Sequence, residues 1–374
     1  MRPKETLRRG YTTGSCAAAA VQAGLRMLFT GEPVQEVRLR TPGGTELFLE
    51  VEDCKIEPET VRCAIRKDSG DDPDITNGIL IYGKVSKCRQ PGIHLAGGQG
   101  VGTITKRGLS VAVGEAAINP VPRQMIQKEA ETICAAHGYE EGLEIVISIP
   151  QGEELADKTF NPRLGIEGGL SVLGTTGIVE PMSERALLDT IFLELRVRKE
   201  SGAKYCYIVP GNYGSDFLQQ SLHYDVEKAV KCSNYIGETI DFARQLGFEG
   251  ILLVGHVGKM VKLAAGIMNT HSRQADGRME IFAAHAALLG ATQERIRAIM
   301  EAVTTTEVIA ILSEAGLLEK VMESIMKKIN TYVTYRAGNT LHIGVILFSE
   351  EQILGKTEAA SQLQNILEQE KEMV

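Results

Sequence analysis

Three hydroxyl side chains, Thr12, Thr13 and Ser15, stand at the predicted start of a helix, directly after Arg8 and Arg9. Backbone N–H groups at a helix N-terminus favour an anion, and hydroxyls add donors. Two arginines beside them suit a carboxylate. The same residues also read as an ordinary capped helix. The string lacks G-K-[ST] and a preceding strand, so it is not a Walker loop. Further on, Lys67-Asp68-Ser69-Gly70-Asp71-Asp72-Pro73-Asp74 gathers acids in a stretch of turn formers. Calcium-loop spacing is missing. The stretch reads either as a solvated turn or as an acid-rich loop that binds cationic or N–H groups of a ligand.

Two glycine-rich segments follow. Gly97-Gly98-Gln99-Gly100-Val101-Gly102 has Thr103 where a dinucleotide fingerprint needs its third glycine, which rejects that reading. The segment from Asn161 to Gly177 is the densest in glycine and hydroxyls, with Thr175 and Thr176 near its end and Arg163 as its fixed positive charge. Glycine loses the most conformational freedom on folding, so close approach to a flat or anionic ligand would account for such runs, as would a bulged loop. Arg163 suits a bidentate carboxylate contact. In the second half, the predicted strand Tyr205–Val209 ends in Pro210-Gly211-Asn212-Tyr213-Gly214, and Gly250–Val254 ends in Gly255-His256-Val257-Gly258-Lys259. The carboxyl ends of parallel strands are where open α/β sheets bind ligands. Asn269, His271 and Arg273 could fold back over that rim. No G-x-S-x-G elbow and no glycosidase-like acid pair supports a hydrolase.

The elements that must position these residues read as two kinds of structure. The first part mixes α and β: a helix Cys16–Phe29 capped by Ser15, then a hairpin Val37–Arg40 and Glu46–Val51 around Thr41-Pro42-Gly43-Gly44. A second helix from Asn119-Pro120, a strand Leu143–Ile149 and a turn Pro150-Gln151-Gly152 repeat the pattern. Pro42, Gly44 and Leu47 have the same relative spacing as Pro150, Gly152 and Leu155, which suggests an internal duplication with a pseudo-two-fold axis. The second part alternates strand, glycine turn and helix, the wiring of an α/β domain with a small, mostly parallel sheet. Helices are expected over Met279–Leu289, Thr292–Val303, Thr306–Leu312 and Leu317–Tyr335, and a last strand over Leu341–Phe348. The expected division is 1–195 (α+β, with the glycine loops), 196–350 (α/β) and an acidic helical tail, 351–374.

With 374 residues, 43% hydrophobic and 24% charged, the chain can build a sizeable core. A net charge of −8 and the absence of Trp argue against a dedicated nucleic-acid binder. No apolar run approaches the ~18 residues of a membrane span, so a cytoplasmic protein is expected. The cysteines, seven in number, form no C-x-x-C pair, which fits reduced thiols rather than a zinc site or a disulfide framework. The histidines form no H-E-x-x-H or H-x-H cluster, so no protein-held metal is expected.

Taken together, several strings resemble one family, the cobalt-precorrin-5B (C-1)-methyltransferases of the anaerobic route to cobalamin. They are Gly10-Tyr11-Thr12-Thr13-Gly14-Ser15-Cys16-Ala17-Ala18, Lys67 to Asp74, Gly97 to Lys106, Ala117-Ile118-Asn119-Pro120-Val121-Pro122-Arg123, Asn161 to Gly177 with Glu180-Pro181-Met182-Ser183, and Val254-Gly255-His256 to His271. The resemblance covers nearly the whole chain up to about Phe348. Ser69 stands where a residue such as Ala is expected, and Asn77 where His is expected. The resemblance implies methyl transfer from S-adenosylmethionine to C-1 of a tetrapyrrole whose cobalt belongs to the substrate. Arg8, Arg9, Thr12, Thr13, Ser15, Lys67, Asp74, Arg163, Thr175 and Thr176 are then expected to meet the tetrapyrrole. Gly211, Asn212, Gly214, Gly255, Gly258 and Lys259 would meet the methyl donor. His256, Asp71 or Asp72 would accept a proton if methylation releases one. Self-association and transient contact with neighbouring pathway enzymes stay open. So do a non-catalytic tetrapyrrole-binding or handover protein and a phosphate-binding transferase.

Overall fold

A computed structural model describes residues 7–220, 228–350 and 352–372. The basic residues Arg2 and Lys4 lie outside the described residues. The chain forms two compact units that divide between Glu184 and Arg185, at the start of a helix.

The N-terminal unit runs β1 (Gly10–Tyr11), α1 (Thr13–Thr30), β2 (Glu36–Arg40), β3 (Glu46–Glu50), β4 (Glu52–Glu57), β5 (Thr60–Arg66), β6 (Leu80–Cys88), β7 (Ile93–Gly97), β8 (Thr103–Ile104), α2 (Pro120–Ala136), β9 (Gly142–Ser148), α3 (Gly152–Ala156), β10 (Ile166–Glu167) and β11 (Ile178–Val179). Its main sheet has the order β4-β5-β6-β9-β7, antiparallel except for β7, which runs parallel to β9. Helix α1 carries the run Cys16 to Ala20, fully buried. Small side chains let it press onto the sheet. A Cβ on Gly83 would lie 3.0 Å from the Ala20 carbonyl carbon, and one on Gly24 would lie 3.0 Å from Val85. Such alanines add little apolar area each, so shape sets the position of this helix. Its cap is Thr12, whose Oγ1 accepts from Ser15 N at 3.2 Å. Ser15 was the expected cap but already sits in the first turn. At the other end Gly31 (φ 71°) returns its N–H to Met27 O.

The expected duplication is not found. Strands β2 and β3 pair with each other as predicted. After β9, however, the turn at 150–152 leads into α3, so Leu155 lies in a helix, and β9 belongs to the main sheet.

The C-terminal unit runs α4 (Glu184–Glu200), β12 (Tyr205–Val209), α5 (Asn212–Gln220), β13 (Val230–Lys231), α6 (Ile236–Gln245), β14 (Gly250–His256), α7 (Val257–Met260), α8 (Arg278–Leu288), α9 (Gln293–Glu301), α10 (Thr305–Glu314), α11 (Leu318–Ala337), β15 (His342–Ser349), β16 (Gln352–Lys356) and α12 (Glu358–Glu372). Its sheet has the order β13-β12-β14-β15-β16, parallel apart from β16. The strands are apolar on both faces because both faces are covered. Cys206, Ile208, Ile251, Leu253, Val345 and Leu347 pack with α4, α6, α8, α10 and α11. Tyr207, Val209, Leu252, Val254, Ile346 and Phe348 pack with α5 and α12. The acidic tail is therefore not an outer appendage: β16 extends the sheet, and Ala360, Leu363 and Leu367 of α12 are buried against it. The apolar residues of α12 were too diluted by charge to read as a sheet-facing stripe.

Gly100 combines φ 71° with a Cβ position 1.8 Å from Ile149 O, whereas Gly114 has φ 90° and nothing within 4 Å. Gly114→Ala is expected to lose about 1–2 kcal/mol, the cost of a left-handed backbone. Gly100→Ala adds a clash with main chain and is expected to lose much more, or to fail to fold, in urea unfolding followed by circular dichroism.

Candidate functional site

In the N-terminal unit, β7 and β9 run side by side, so the glycine loop after Gly97 and the turn after Ser148 leave the sheet at the same end. Gly98 N donates to Ile147 O (2.7 Å) and Ile149 N to Gln99 O (2.8 Å). The stretch 166–179 is laced across them. Leu170 N donates to Gly100 O and Gly102 N to Leu170 O. Val172 N then donates to Ala117 O, and Gly14 N to Leu173 O. The ribbon ends by pairing β11 with β1. A Cβ on Gly152 or Gly169 would lie 2.0 or 2.3 Å from Gly100 O, and one on Gly174 would lie 2.2 Å from Thr12 Oγ1. Gly152 and Gly169 answer to the chain's own backbone, and Gly174 to the Thr12 side chain. Of the two readings of these runs, close packing within the chain accounts for Gly100, Gly152 and Gly169, while Gly168 has nothing within 4 Å of a Cβ position.

The hydroxyls at the helix start are likewise engaged. Thr13 Oγ1 donates to Leu173 O (3.2 Å) or Ser171 O (3.3 Å) and accepts from Leu173 N (2.9 Å). Ser15 Oγ donates to Gly177 O (2.8 Å), and Thr12 Oγ1 caps α1. All three residues are buried. They fasten the ribbon to α1, and their hydroxyls, expected to meet a ligand, are engaged with the chain's own peptide groups. Thr176 Oγ1 is tied to Ile178 within the ribbon, while Thr175 is exposed.

The acidic loop also works inward. Lys67, only 3% exposed, donates to Ser69 Oγ (2.6 Å) and pairs with Asp74. Burial would raise the Asp74 carboxyl, but donation from Lys67 and Thr76 outweighs it, and its pKa lies below the usual value. Asp71 Oδ2 accepts from Arg8 N and Asp72 Oδ1 from Met182 N, at 2.9 and 2.8 Å. Met182 has φ 53°. Arg8 forms a fork with Asp68, which holds that carboxyl below its ordinary range. Asp71 and Asp72, expected as proton acceptors, are thus struts between backbone segments. Gly70 and Gly10 allow this: their Cβ atoms would lie 2.1 Å from Arg8 O and 2.3 Å from Asp68 O. Tyr11 donates to Arg66 O (2.9 Å) and is pushed up to about 12, chiefly by burial.

What this frame presents outward is different. Arg9 is exposed, with Glu180 at 3.5 Å. Arg163 is half-buried on the turn Pro162–Leu164. In the same glycine-rich region as Arg163, Phe160 and Leu173 are 47% and 46% exposed. Asn161 links them: Ser171 Oγ donates to its Oδ1 (3.3 Å), and Ser171 O faces Thr13. The two exposed apolar side chains were not singled out in the sequence. Placement in a glycine-rich segment that has few other large side chains was the available signal.

In the C-terminal unit, the strand order reverses between β12 and its neighbours β13 and β14. The carboxyl ends of β12 and β14 therefore flank a topological switch point, the usual ligand site of such sheets. Pro210–Gly214 and Gly255–Lys259 meet there as expected: Lys259 Nζ donates to Pro210 O (2.9 Å). Gly214 and Gly255 are packed, with Cβ positions 2.8 Å from Val254 O and 2.6 Å from Met260. Among the described residues Gly211 (φ 153°) is uncrowded: a Cβ there would meet only Lys259 Nζ, at 3.8 Å. Asn212 opens α5, and its side chain lies outside the described residues. The strand ends are backbone-strained: Ser233 after β13 has φ 54° and Glu350 after β15 has φ 52°. Asn269 bridges Tyr235, and Thr270 N donates to Asn234 O, which brings the 269–273 loop to the β13 end of this rim.

His256 caps α7, its Nδ1 accepting from Gly258 N at 3.1 Å. Its ring lies near those of Tyr213 and Phe348. Burial lowers its pKa, opposed by Glu350. A neutral imidazole has one lone-pair nitrogen, and here that nitrogen holds the cap. The expected general-base role is corrected: His256 offers Nε2–H as a donor.

The Lys67–Asp74 pair generates a stability prediction. Its contribution is whole above the unfolded carboxyl pKa of about 4 and is lost as pH falls through the depressed folded value. Lys67→Met is expected to lose about 3–5 kcal/mol at pH 7, with the deficit shrinking below about pH 4, measured by urea unfolding across pH.

The sequence pattern of the CbiD family matches residues 1–181, and that described as CbiD, C-terminal domain, matches residues 269–358. The chain is 53% identical to a protein named cobalt-precorrin-5B C(1)-methyltransferase from Ruminiclostridium cellulolyticum, over 92% of this chain and 89% of that one. It is 45% identical to one of the same name from Alkaliphilus metalliredigens, over 97% and 96%. A crystal structure of a cobalamin biosynthesis protein (cbiD) from Archaeoglobus fulgidus is 29% identical, covering 73% of this chain and 84% of that one, with a TM-score of 0.39.

Proposed function

Because the chain belongs to the CbiD family, we propose that it is a methyltransferase acting on C-1 of cobalt-precorrin-5B, with S-adenosylmethionine as donor. The carrying observation is the 53% identity, over almost the full length of both chains, to a protein that bears this name. The product would be cobalt-precorrin-6A, and the cobalt would arrive with the substrate.

The residues on the page suit both reactants. In the N-terminal unit, exposed Phe160 and Leu173 offer apolar area to a flat macrocycle, and Arg9 and Arg163 offer guanidinium groups to its acetate and propionate arms. Thr12, Thr13 and Ser15 act indirectly by fixing the ribbon that carries Leu173 and Thr175. At the switch point of the C-terminal unit, open Gly211, the exposed ring of Tyr213 and the Lys259 ammonium fit a small ligand with a base and a carboxylate. When bound, S-adenosylmethionine supplies an electrophilic methyl group, and the departing sulfur keeps the bonding pair. No covalent nucleophile is needed from the protein. Its task is to hold the reacting atoms at near-attack distance and keep water out. Rigid, glycine-crossed loops serve that task because peptide groups fixed at both ends cannot drift.

Incubation with cobalt-precorrin-5B and methyl-labelled S-adenosylmethionine is expected to place the label on C-1 by NMR. A label elsewhere, or S-adenosylhomocysteine binding without turnover, overturns the reading; binding of tetrapyrrole alone points to a handover protein. Arg163→Ala is expected to weaken corrinoid binding about tenfold and leave S-adenosylhomocysteine binding unchanged by calorimetry. His256→Asn keeps an acceptor for the α7 cap. It should lower turnover by less than tenfold, well short of the roughly 10²–10⁴-fold loss expected for a general base.

A further inference from the structure

The buried or half-buried cations of this chain mostly have visible counter-charges. Lys67 holds Asp74, Arg336 holds Asp241 at 2.6 Å, and Lys262 has two carbonyls with Asp276 at 3.8 Å. Lys259 differs. It is half-buried at the switch point, and among the described residues its one hydrogen bond goes to Pro210 O. Among the described residues no carboxylate lies within ion-pair distance of it. The neighbouring Lys262 is a like charge. The neighbouring Cys232 is fully buried, which pushes its thiol up to about 12. It is therefore uncharged at neutral pH and supplies no counterion. The ammonium stands over the open side of Gly211, 3.8 Å from where a Cβ would be. An ammonium has three donors, and removing it from water without a partner is costly. An anion entering at Gly211 would relieve that cost.

We propose that Lys259, with the open turn at Gly211, receives the α-carboxylate of the methyl donor's methionine portion. This rests on the reading that the switch point holds the donor. A corrinoid carboxylate offers the same group, but two neighbours favour the donor. Glu350, close enough to His256 to affect its titration, repels a polycarboxylate and attracts an ammonium. Tyr213, 77% exposed on α5, gives an aromatic base a face to stack on. Lys259 is thus a specificity residue for the amino-acid end of the donor, separate from the adenosine end.

The test uses the full chain and calorimetry with three probes: S-adenosylhomocysteine, 5′-methylthioadenosine, which lacks the amino-acid end, and cobyrinic acid. Lys259→Met is expected to weaken S-adenosylhomocysteine about tenfold to a hundredfold, with the other two affinities unchanged. Lys259→Gln, which keeps a donor for Pro210 O, should give the same pattern, and Lys259→Arg should recover part of the loss. Thermal unfolding of each variant verifies that it is folded. Equal losses for both adenosyl compounds, or no loss for any probe, overturns the proposal while leaving the switch-point reading intact; a loss confined to cobyrinic acid overturns both. A wild-type chain that binds neither adenosyl compound overturns that reading, and the proposal with it.

Discussion

Main chain lying against main chain, at separations that leave no room for a Cβ, is the constraint on which the N-terminal site depends. Gly100 meets Ile149, Gly152 and Gly169 in this way, and Gly70 meets Arg8. Each contact lets peptide groups of remote segments reach one another, and peptide N–H and C=O groups buried without partners are expensive. The crossing therefore ties the stretch 166–179 to its neighbours through its own peptide groups. The buried hydroxyls of Thr13 and Ser15 extend the same logic, satisfying carbonyls that α1 brings close. The outward-facing residues, Arg163 and Leu173 among them, inherit a fixed place from this lattice.

The C-terminal unit reaches a similar end by ordinary α/β means. Helices on both faces bury the parallel strands, and the reversal of strand order puts a switch point at the carboxyl ends of β12 and β14. Lys259 ties the two loops that border it, and left-handed residues at Ser233 and Glu350 turn the chain sharply off neighbouring strands. Non-glycine residues in that conformation persist where surrounding structure holds them.

Much of this was legible in the sequence. Strong apolar runs gave β12, β14 and β15, and strand–glycine–helix order gave the rim. Local pattern failed where non-local pairing decides. Edge strands β4 and β7 carry little buried apolar pattern, and Gly152, at the start of α3 where the repeat suggested a strand, lies against Gly100. Site residues failed for a related reason. A hydroxyl or carboxylate in a sequence announces a hydrogen bond but not its partner. For Thr13, Ser15, Asp71 and Asp72 the partner was a peptide group of the same chain. Gly211 and Lys259 were placed correctly at the rim because strand-end position alone determines it.

The lacing of 166–179 through its peptide groups separates two properties that most binding loops combine. Its attachment is indifferent to the identity of the side chains it displays at 173 and 175. Those positions can be exchanged while the anchorage stays intact, so evolutionary tinkering with recognition need not erode the scaffold beneath it.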